Sequence, residues 1–196
     1  TWPTEYGGQE GDGVYEYLLN EALAGRGGPQ IGKGVGIIGK TLIAQGSDFL
    51  KQEFLPKILE NDVEFAVGYS EPNAGSDAVG IQSTAVKKGD RYLLNGEKVW
   101  ISLADVADHF LVIAWTDLEK KKNRDHSGLS AFIVERAFKG FSSYSIKEKW
   151  GILAGNTGGF SMQDVEVPVE NRVGGEGEGF RVAMFALENG RYTVAA

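Results

Sequence analysis

The spacing of apolar residues changes period near residue 64, and that change does most to limit the fold. Before it, Val14, Leu18, Leu19 and Leu23 recur at the three- and four-residue intervals of one helical face between Val14 and Ala24. The cluster Gly25-Arg26-Gly27-Gly28-Pro29 ends that pattern. A second helix is predicted over Gly36 to Gln45 despite its glycines. Gly46-Ser47-Asp48 then offers a stop and an N-cap for a third helix carrying Phe49, Phe54, Leu55, Ile58 and Leu59, in which Pro56 predicts a kink or a break. From about Glu64 to Val167 the pattern is that of short strands. They are expected at Phe65 to Gly68, Ser83 to Lys88, Tyr92 to Leu94, His109 to Thr116, Leu129 to Val134, Phe141 to Ile146 and Gly159 to Val167, with Asn95-Gly96 as the strongest hairpin signal. Repeated short strands of this kind predict a compact β-barrel or two packed sheets. Helical composition returns over Phe180 to Leu187, after the cluster Gly174-Gly175-Glu176-Gly177-Glu178-Gly179. With two glutamates and no following strand-helix-strand unit, that cluster reads as a domain hinge, not a phosphate loop.

Two polar stretches within the strand region carry the chemistry. The first, Tyr69-Ser70-Glu71-Pro72-Asn73-Ala74-Gly75-Ser76-Asp77, follows the strand Phe65 to Gly68. Pro72 biases Glu71 toward extended backbone, while Asn73 and Gly75 give the freedom that a tight loop needs. Its backbone N–H groups, with the hydroxyls of Ser70 and Ser76, suit an anion or the polar edge of a planar ring, although the same composition also suits a loop that only connects elements. The second, Asn95-Gly96-Glu97-Lys98-Val99-Trp100-Ile101-Ser102, reads as a turn leading into a strand with a large aromatic and then a hydroxyl. Taken alone, Trp100 suits the core of a strand.

Composition removes other classes. The chain has no cysteine, which excludes disulfide scaffolds, thiolate zinc sites and cysteine nucleophiles, and its two histidines, His109 and His126, are too few for a histidine-rich metal site. A formal charge of -7 argues against nucleic acid as the main partner. The run Phe110 to Trp115 is far too short to cross a bilayer, so no membrane insertion is expected. Lys120-Lys121-Lys122 lies in a charged stretch between Asp117 and Gly128, read as a solvated excursion with contact to a ligand phosphate as the alternative.

Together and in this order, YSEPNAGSD and NGEKVWIS resemble the flavin-binding signature of the acyl-CoA dehydrogenase family. The segments WPTEYGG and FLPKILENDVEF resemble the latter half of that family's N-terminal helical domain, and GEGEGFRVAMFALENGRYTVAA resembles the opening of its C-terminal helical domain. The resemblance therefore implies an α+β multidomain fold in three parts: the end of a helical domain over residues 1–63, a central antiparallel β-barrel or two-sheet domain over 64–174, and the start of a helical bundle over 175–196. It also implies a piece of a longer protein. As a free segment, the chain is expected to expose apolar helix faces and to associate or hold FAD weakly.

What the resemblance implies about activity is FAD-dependent α,β-dehydrogenation of an acyl-CoA thioester to a trans-2-enoyl-CoA. Hydride passes to flavin N5, and electron-transfer flavoprotein is the expected acceptor. A homo- or hetero-oligomer, dimer or tetramer, located in the cytoplasm or the mitochondrial matrix, is expected with it. Carried over by position, Tyr69 and Ser70 lie against the pyrimidine side of the ring system, Ser70 standing where the family frequently has threonine. Gly75 and Ser76 match positions near the FAD phosphates and the pantetheine arm. Trp100 matches the aromatic that packs on the ring, and Ile101 and Ser102 follow along its N5 edge. Ser76, Glu188 and Arg191 are the candidate substrate contacts, Arg191 serving equally well as a buried ion-pair partner.

No residue of the chain is assigned as catalytic. Where the family carries its base on this helix, it immediately precedes the arginine, and that position is Gly190; the commoner location is a glutamate beyond Ala196. The chain also departs from the family at Leu153, often arginine, and at Gly155, often serine, while keeping Thr157. Alternatives on the same scaffold are an acyl-CoA oxidase, a flavin monooxygenase, or a non-catalytic flavin-binding subunit of a hetero-oligomer. A β-sandwich binding module without FAD is the remaining alternative.

Overall fold

Some glycines in the first third of the chain are fixed by close packing, while Gly11, Gly13, Gly25 and Gly27 face open space. The computed structural model describes residues 1–28 and 32–195, and Pro29, which ends the first glycine cluster, lies outside them. Helix α1 (Gly13–Gly25) starts at Asp12, whose carboxylate accepts from the Val14 N–H at 2.9 Å. Its predicted apolar face is not the buried one: Val14, Leu18 and Leu19 are about half exposed, and the buried position is Asn20. The glycine-rich segment Gly34–Gly39 winds as a π-helix and continues as α2 (Lys40–Gln45). Trp2 explains one of these glycines. Its indole is buried, donates to Val35 O at 3.1 Å, and lies so near Gly39 that a Cβ there would fall 1.9 Å from the ring.

Helix α3 (Asp48–Glu60) is capped by Ser47, whose hydroxyl accepts from the Leu50 N–H at 3.3 Å. Leu50, Phe54, Leu55 and Ile58 form its buried face. The expected break at Pro56 does not occur. Pro56 lies within one continuous helix on the exposed side, where water reaches the carbonyl that a proline leaves without its N–H partner.

Among the described residues eight strands follow: β1 (Phe65–Gly68), β2 (Thr84–Lys88), β3 (Arg91–Ser102), β4 (His109–Trp115), β5 (Leu129–Glu135), β6 (Phe141–Ser145), β7 (Thr157–Pro168) and β8 (Arg172–Val173). They make one sheet in the order β6-β7-β3-β2-β4-β5-β8, with β1 beside β4. The expected barrel does not close. An antiparallel group β6-β7-β3-β2 meets a second one, β4-β5-β8, through the single parallel bridge Thr84–Trp115, and β1 also runs parallel to β4. The terminal strands β6 and β8 remain edges, and β8 is too short for the staggered ladder that closure requires.

The predicted hairpin at Asn95-Gly96 is also absent. The turn lies at Gly89-Asp90, between the paired residues Lys88 and Arg91, and β3 runs straight through Asn95 and Gly96. Asn95 instead spans a bulge in β7: it donates to Asp164 Oδ1 and accepts from the Asp164 N–H, both at 2.9 Å, while Asp164 takes φ 49°. Gly96, at φ 147°, passes so close to Ser83 that a Cβ would lie 2.1 Å from its Oγ. Here the Asn-Gly pair marks close approach.

The sheet separates two apolar cores, and β4 serves both. Leu111, Ile113 and Trp115 pack with the helices, while Phe110, Val112 and Ala114 face the opposite core with Phe132, Phe160 and Val165. A short helix, α4 (Leu118–Lys122), capped by Asp117, occupies the charged stretch that the sequence pattern leaves as a loop. Helix α5 (Gly179–Ala195) closes the helical side, burying Val182, Ala183 and Ala186. The glycine cluster ahead of it is docked: the Gly177 N–H donates to Ser130 Oγ at 2.9 Å, and Gly179 lies against the Ser130 backbone with no room for a Cβ. Among the described residues, no helix is long and apolar enough to cross a membrane.

Candidate functional site

Glu71 shapes the loop that leaves β1. Its backbone pairs with Ala74 in both directions, Glu71 N–H to Ala74 O at 2.8 Å and Ala74 N–H to Glu71 O at 3.0 Å, which puts Pro72 and Asn73 at an exposed tip. Its carboxylate turns inward. Oε1 accepts from the Ser83 N–H at 3.1 Å and from Ser83 Oγ at 2.5 Å, and Oε2 accepts from the Gln82 N–H at 2.5 Å. The loop is thereby folded back on the residues that precede β2. Gly75, Ser76 and Asp77 stay exposed on its outer turn, where a side chain at Gly75 would meet open space. Asp77 receives Arg124 Nη2 at 2.7 and 2.8 Å, which ties this turn to the segment after α4.

Beside this loop, β3 carries a bulge of its own. Val99 pairs with Gly159 and Ile101 with Gly158, leaving Trp100 as the extra residue. It takes φ 62°, a left-handed conformation that is costly for a bulky side chain, and its indole is 65% exposed. The bulge re-aims the ring out of the sheet while Ile101 returns to the core and Ser102 is exposed again. Trp100 is therefore not a core tryptophan. A large apolar ring held out of the core in a strained backbone is the arrangement of a contact surface.

Three hydrogen bonds bring the stretches together. The Val99 N–H donates to Ser70 O at 3.0 Å, next to Trp100. The Lys98 ammonium, wholly buried, donates to Glu71 Oε1 at 2.8 Å, to Ile113 O at 2.9 Å and to Tyr69 O at 3.3 Å. Burial pushes the Lys98 amine down to about 8 against the opposing charge of Glu71. For Glu71, burial acts to raise the carboxyl, but the Lys98 charge and the hydrogen bonds from Lys98, Ser83 and Gln82 outweigh it and hold the group below the ordinary glutamate value. Tyr69 packs against the helical core, and its buried Oη has no hydrogen-bond partner among the described residues; burial raises its hydroxyl pKa.

The structure thus gathers Tyr69, Ser70, Trp100, Ile101 and Ser102 around one backbone junction and puts Gly75 and Ser76 on the outer turn of the same loop. Glu188 and Arg191 lie on α5, which packs against β4, β5, α1, α2, the glycine-rich π-helical segment and the turn His126–Gly128. Both are exposed among the described residues. Leu153 lies on an exposed loop with Trp150 and Ile152, and half-buried Gly155 follows it. Lys149 ties that loop through Ile152 O at 2.8 Å, Thr157 Oγ1 at 3.1 Å and Gly155 O. The lysines of α4 are occupied locally, Lys120 on Ser127 O, Lys121 on Gln82 O and Lys122 on Glu119. A hollow of about 490 Å³ lined by Tyr6, Lys51, Leu55 and Leu59 shares no residue with the two loops.

Lys98 and Glu71 were missed as members of the site. Strand alternation through Tyr92 and Leu94 puts Lys98 on the inward face, and an inward lysine requires an acid within reach. That requirement was the available signal.

Comparison with known proteins gives matches along the chain. The profile described as "Acyl-CoA dehydrogenase, middle domain" matches residues 66–165, and "Acyl-CoA dehydrogenase, N-terminal domain" matches residues 1–62. The short-chain-specific acyl-CoA dehydrogenase of Clostridium acetobutylicum is 37% identical over 98% of this chain and 50% of its own length. The caffeyl-CoA reductase–Etf complex subunit CarC of Acetobacterium woodii is 35% identical over 99% of this chain and 51% of its own. The solved structure of butyryl-CoA dehydrogenase from Megasphaera elsdenii superposes with a TM-score of 0.87 at 35% identity, over 99% of this chain and 51% of that one. The chain spans about half the length of the curated relatives it matches.

Proposed function

The chain belongs to the acyl-CoA dehydrogenase family, and from that premise we propose that the full-length protein is an FAD-dependent dehydrogenase that introduces an α,β double bond into an acyl-CoA thioester. The observation that carries this reading is the bulge that turns Trp100 outward beside the Ser70 backbone.

The residues present fit the cofactor. Trp100 offers an exposed apolar face to a planar ring system, and Ser70 and Ser102 offer hydroxyls to its polar edge. Gly75 leaves open space where a phosphate or the pantetheine arm would approach, with the exposed Ser76 hydroxyl beside it. When bound, FAD supplies the acceptor for a hydride from the substrate β-carbon. Trp100 excludes water from one face of the ring system, and Ile101 anchors the bulge by remaining in the core. Glu188 and Arg191 are assigned to the substrate side, and the acceptor of the α-proton to a segment outside these 196 residues. Electron-transfer flavoprotein as the electron acceptor and an oligomeric assembly are proposed on the family relation, supported by the Acetobacterium relative named as a subunit of an Etf complex.

The test is the visible spectrum of the purified full-length protein under anaerobic titration with acyl-CoA thioesters of varied chain length. Bound flavin that bleaches with one class of thioester, with electrons passing to a dye and not to oxygen, supports the dehydrogenase. Rapid return of the flavin colour when air is admitted after bleaching, with stoichiometric oxygen uptake, would favour the oxidase. Absence of flavin overturns the reading.

A further inference from the structure

The buried Lys98–Glu71 pair lies between the two stretches assigned to FAD, and its geometry goes beyond that of a structural ion pair. An ammonium has three protons, and Lys98 directs one to each of three acceptors: Glu71 Oε1, Ile113 O and Tyr69 O. Two of the three belong to the loop that carries Tyr69 and Ser70. The third belongs to β4, the strand at the centre of both cores. Lys98 is also two residues before Trp100, and the intervening Val99 N–H holds Ser70 O. The loop is thus referenced to β3 at two successive carbonyls, Tyr69 by a side chain and Ser70 by the main chain.

We propose that Lys98 is a positioning residue for the FAD cradle: its third proton fixes the Tyr69–Ser70 peptide relative to Trp100, and loss of that proton releases the peptide. This inference rests on the FAD reading above. The step is a simple loss of one proton to water, leaving an amine with two donors and a lone pair. Of the three acceptors, Tyr69 O is the most distant at 3.3 Å, against 2.8 Å for the carboxylate and 2.9 Å for Ile113 O, so it is the one given up. The peptide is planar and trans, so the Ser70 N–H points away from Lys98 while the carbonyl is held, and it is free to turn once the carbonyl is not. Deprotonation falls within an accessible range, because burial brings the amine down to about 8. Among the described residues Glu71 is the one charged group acting on Lys98. β4 contributes only a carbonyl, and Ser83 and Gln82, ahead of β2, donate to Glu71.

The experiment uses the full-length protein and FAD itself. FAD affinity and the shape of the bound-flavin visible band are measured from about pH 7 to about pH 9, with free FAD taken through the same range to correct for ionisation of the flavin itself. In the wild type, affinity is expected to fall by about tenfold, the ratio carried by one charge-assisted hydrogen bond, with a midpoint near that of Lys98 and a parallel change in the band. The double variant Lys98→Met with Glu71→Gln removes both charges at similar volume. It is expected to bind FAD about tenfold more weakly at neutral pH and to show no such midpoint. Should the double variant fail to fold, the wild-type titration decides alone, and a flat profile across the range overturns the inference. Wild-type affinity together with the wild-type pH profile in the double variant also overturns it, while leaving the FAD reading intact. A wild-type protein that takes up no FAD at any pH overturns both.

Discussion

Replacing Trp100 by glycine separates a contact tryptophan from a core one, because the two differ in what the fold loses. With 65% of its surface exposed, about a third of Trp100 is buried. That third amounts to about 80 Å² and about 2 kcal/mol of burial. Against this, glycine removes a left-handed conformation worth about 1–2 kcal/mol at a bulky residue, and adds about 0.5–1 kcal/mol of backbone entropy to be lost on folding. The net change for the FAD-free protein is about 1 kcal/mol, against about 3–5 kcal/mol for truncating a buried tryptophan. FAD binding changes in the opposite proportion: loss of stacking worth about 1–3 kcal/mol weakens it by about 5- to 150-fold. Urea unfolding of the FAD-free full-length protein gives the first quantity, and quenching of flavin fluorescence on titration gives the second. Trp100→Phe, which keeps a smaller ring, should fall between. A glycine variant that loses more than about 3 kcal/mol of stability while binding FAD as tightly as wild type would refute the reasoning.

The remaining predictions concern the framework around the ring. Glu71→Ala leaves the Lys98 amine buried without its counter-charge and strands the N–H groups of Gln82 and Ser83, so it should cost about 3–5 kcal/mol in denaturant unfolding; a loss below about 1 kcal/mol contradicts the network. Gly96→Ala pushes a Cβ to 2.1 Å from Ser83 Oγ at φ 147° and should destabilise by about 2 kcal/mol or more, measured by thermal melting, whereas Gly75→Ala should change little. Lys98 titrates near 8 when folded and near about 10.4 when unfolded, so between those values the unfolded chain holds the extra proton and stability rises with pH. Unfolding midpoints of the FAD-free wild type should therefore gain on those of the Lys98→Met variant with Glu71→Gln above about pH 8, and parallel profiles would count against the burial of a charged Lys98.

How much of this was legible in the sequence follows from what each residue responds to. Helices α1 and α3 and strands β1, β2 and β4 to β7 were readable because their apolar periods and the Ser47 cap are local properties. Strand β8, two residues long, carries no period to read. Asn95-Gly96 misled because its glycine answers to Ser83, thirteen residues earlier, and its asparagine to Asp164 on β7. Barrel closure is not legible for a related reason: alternation tells how strands face, and says nothing about whether β6 and β8 find each other. In the site, the resemblance supplied the roles of Ser70 and Trp100. The bulge that exposes Trp100 depends on register against Gly158 and Gly159, which no spacing within β3 reveals. Lys98 was the residue that strand alternation made readable and that went unused.

The most direct measurement is a crystal structure of the full-length protein with FAD bound. The account predicts the flavin ring system against the exposed face of Trp100, with the Ser70 and Ser102 hydroxyls within hydrogen-bond distance of its polar edge. Ring density at another surface, with Trp100 left facing solvent, would contradict it.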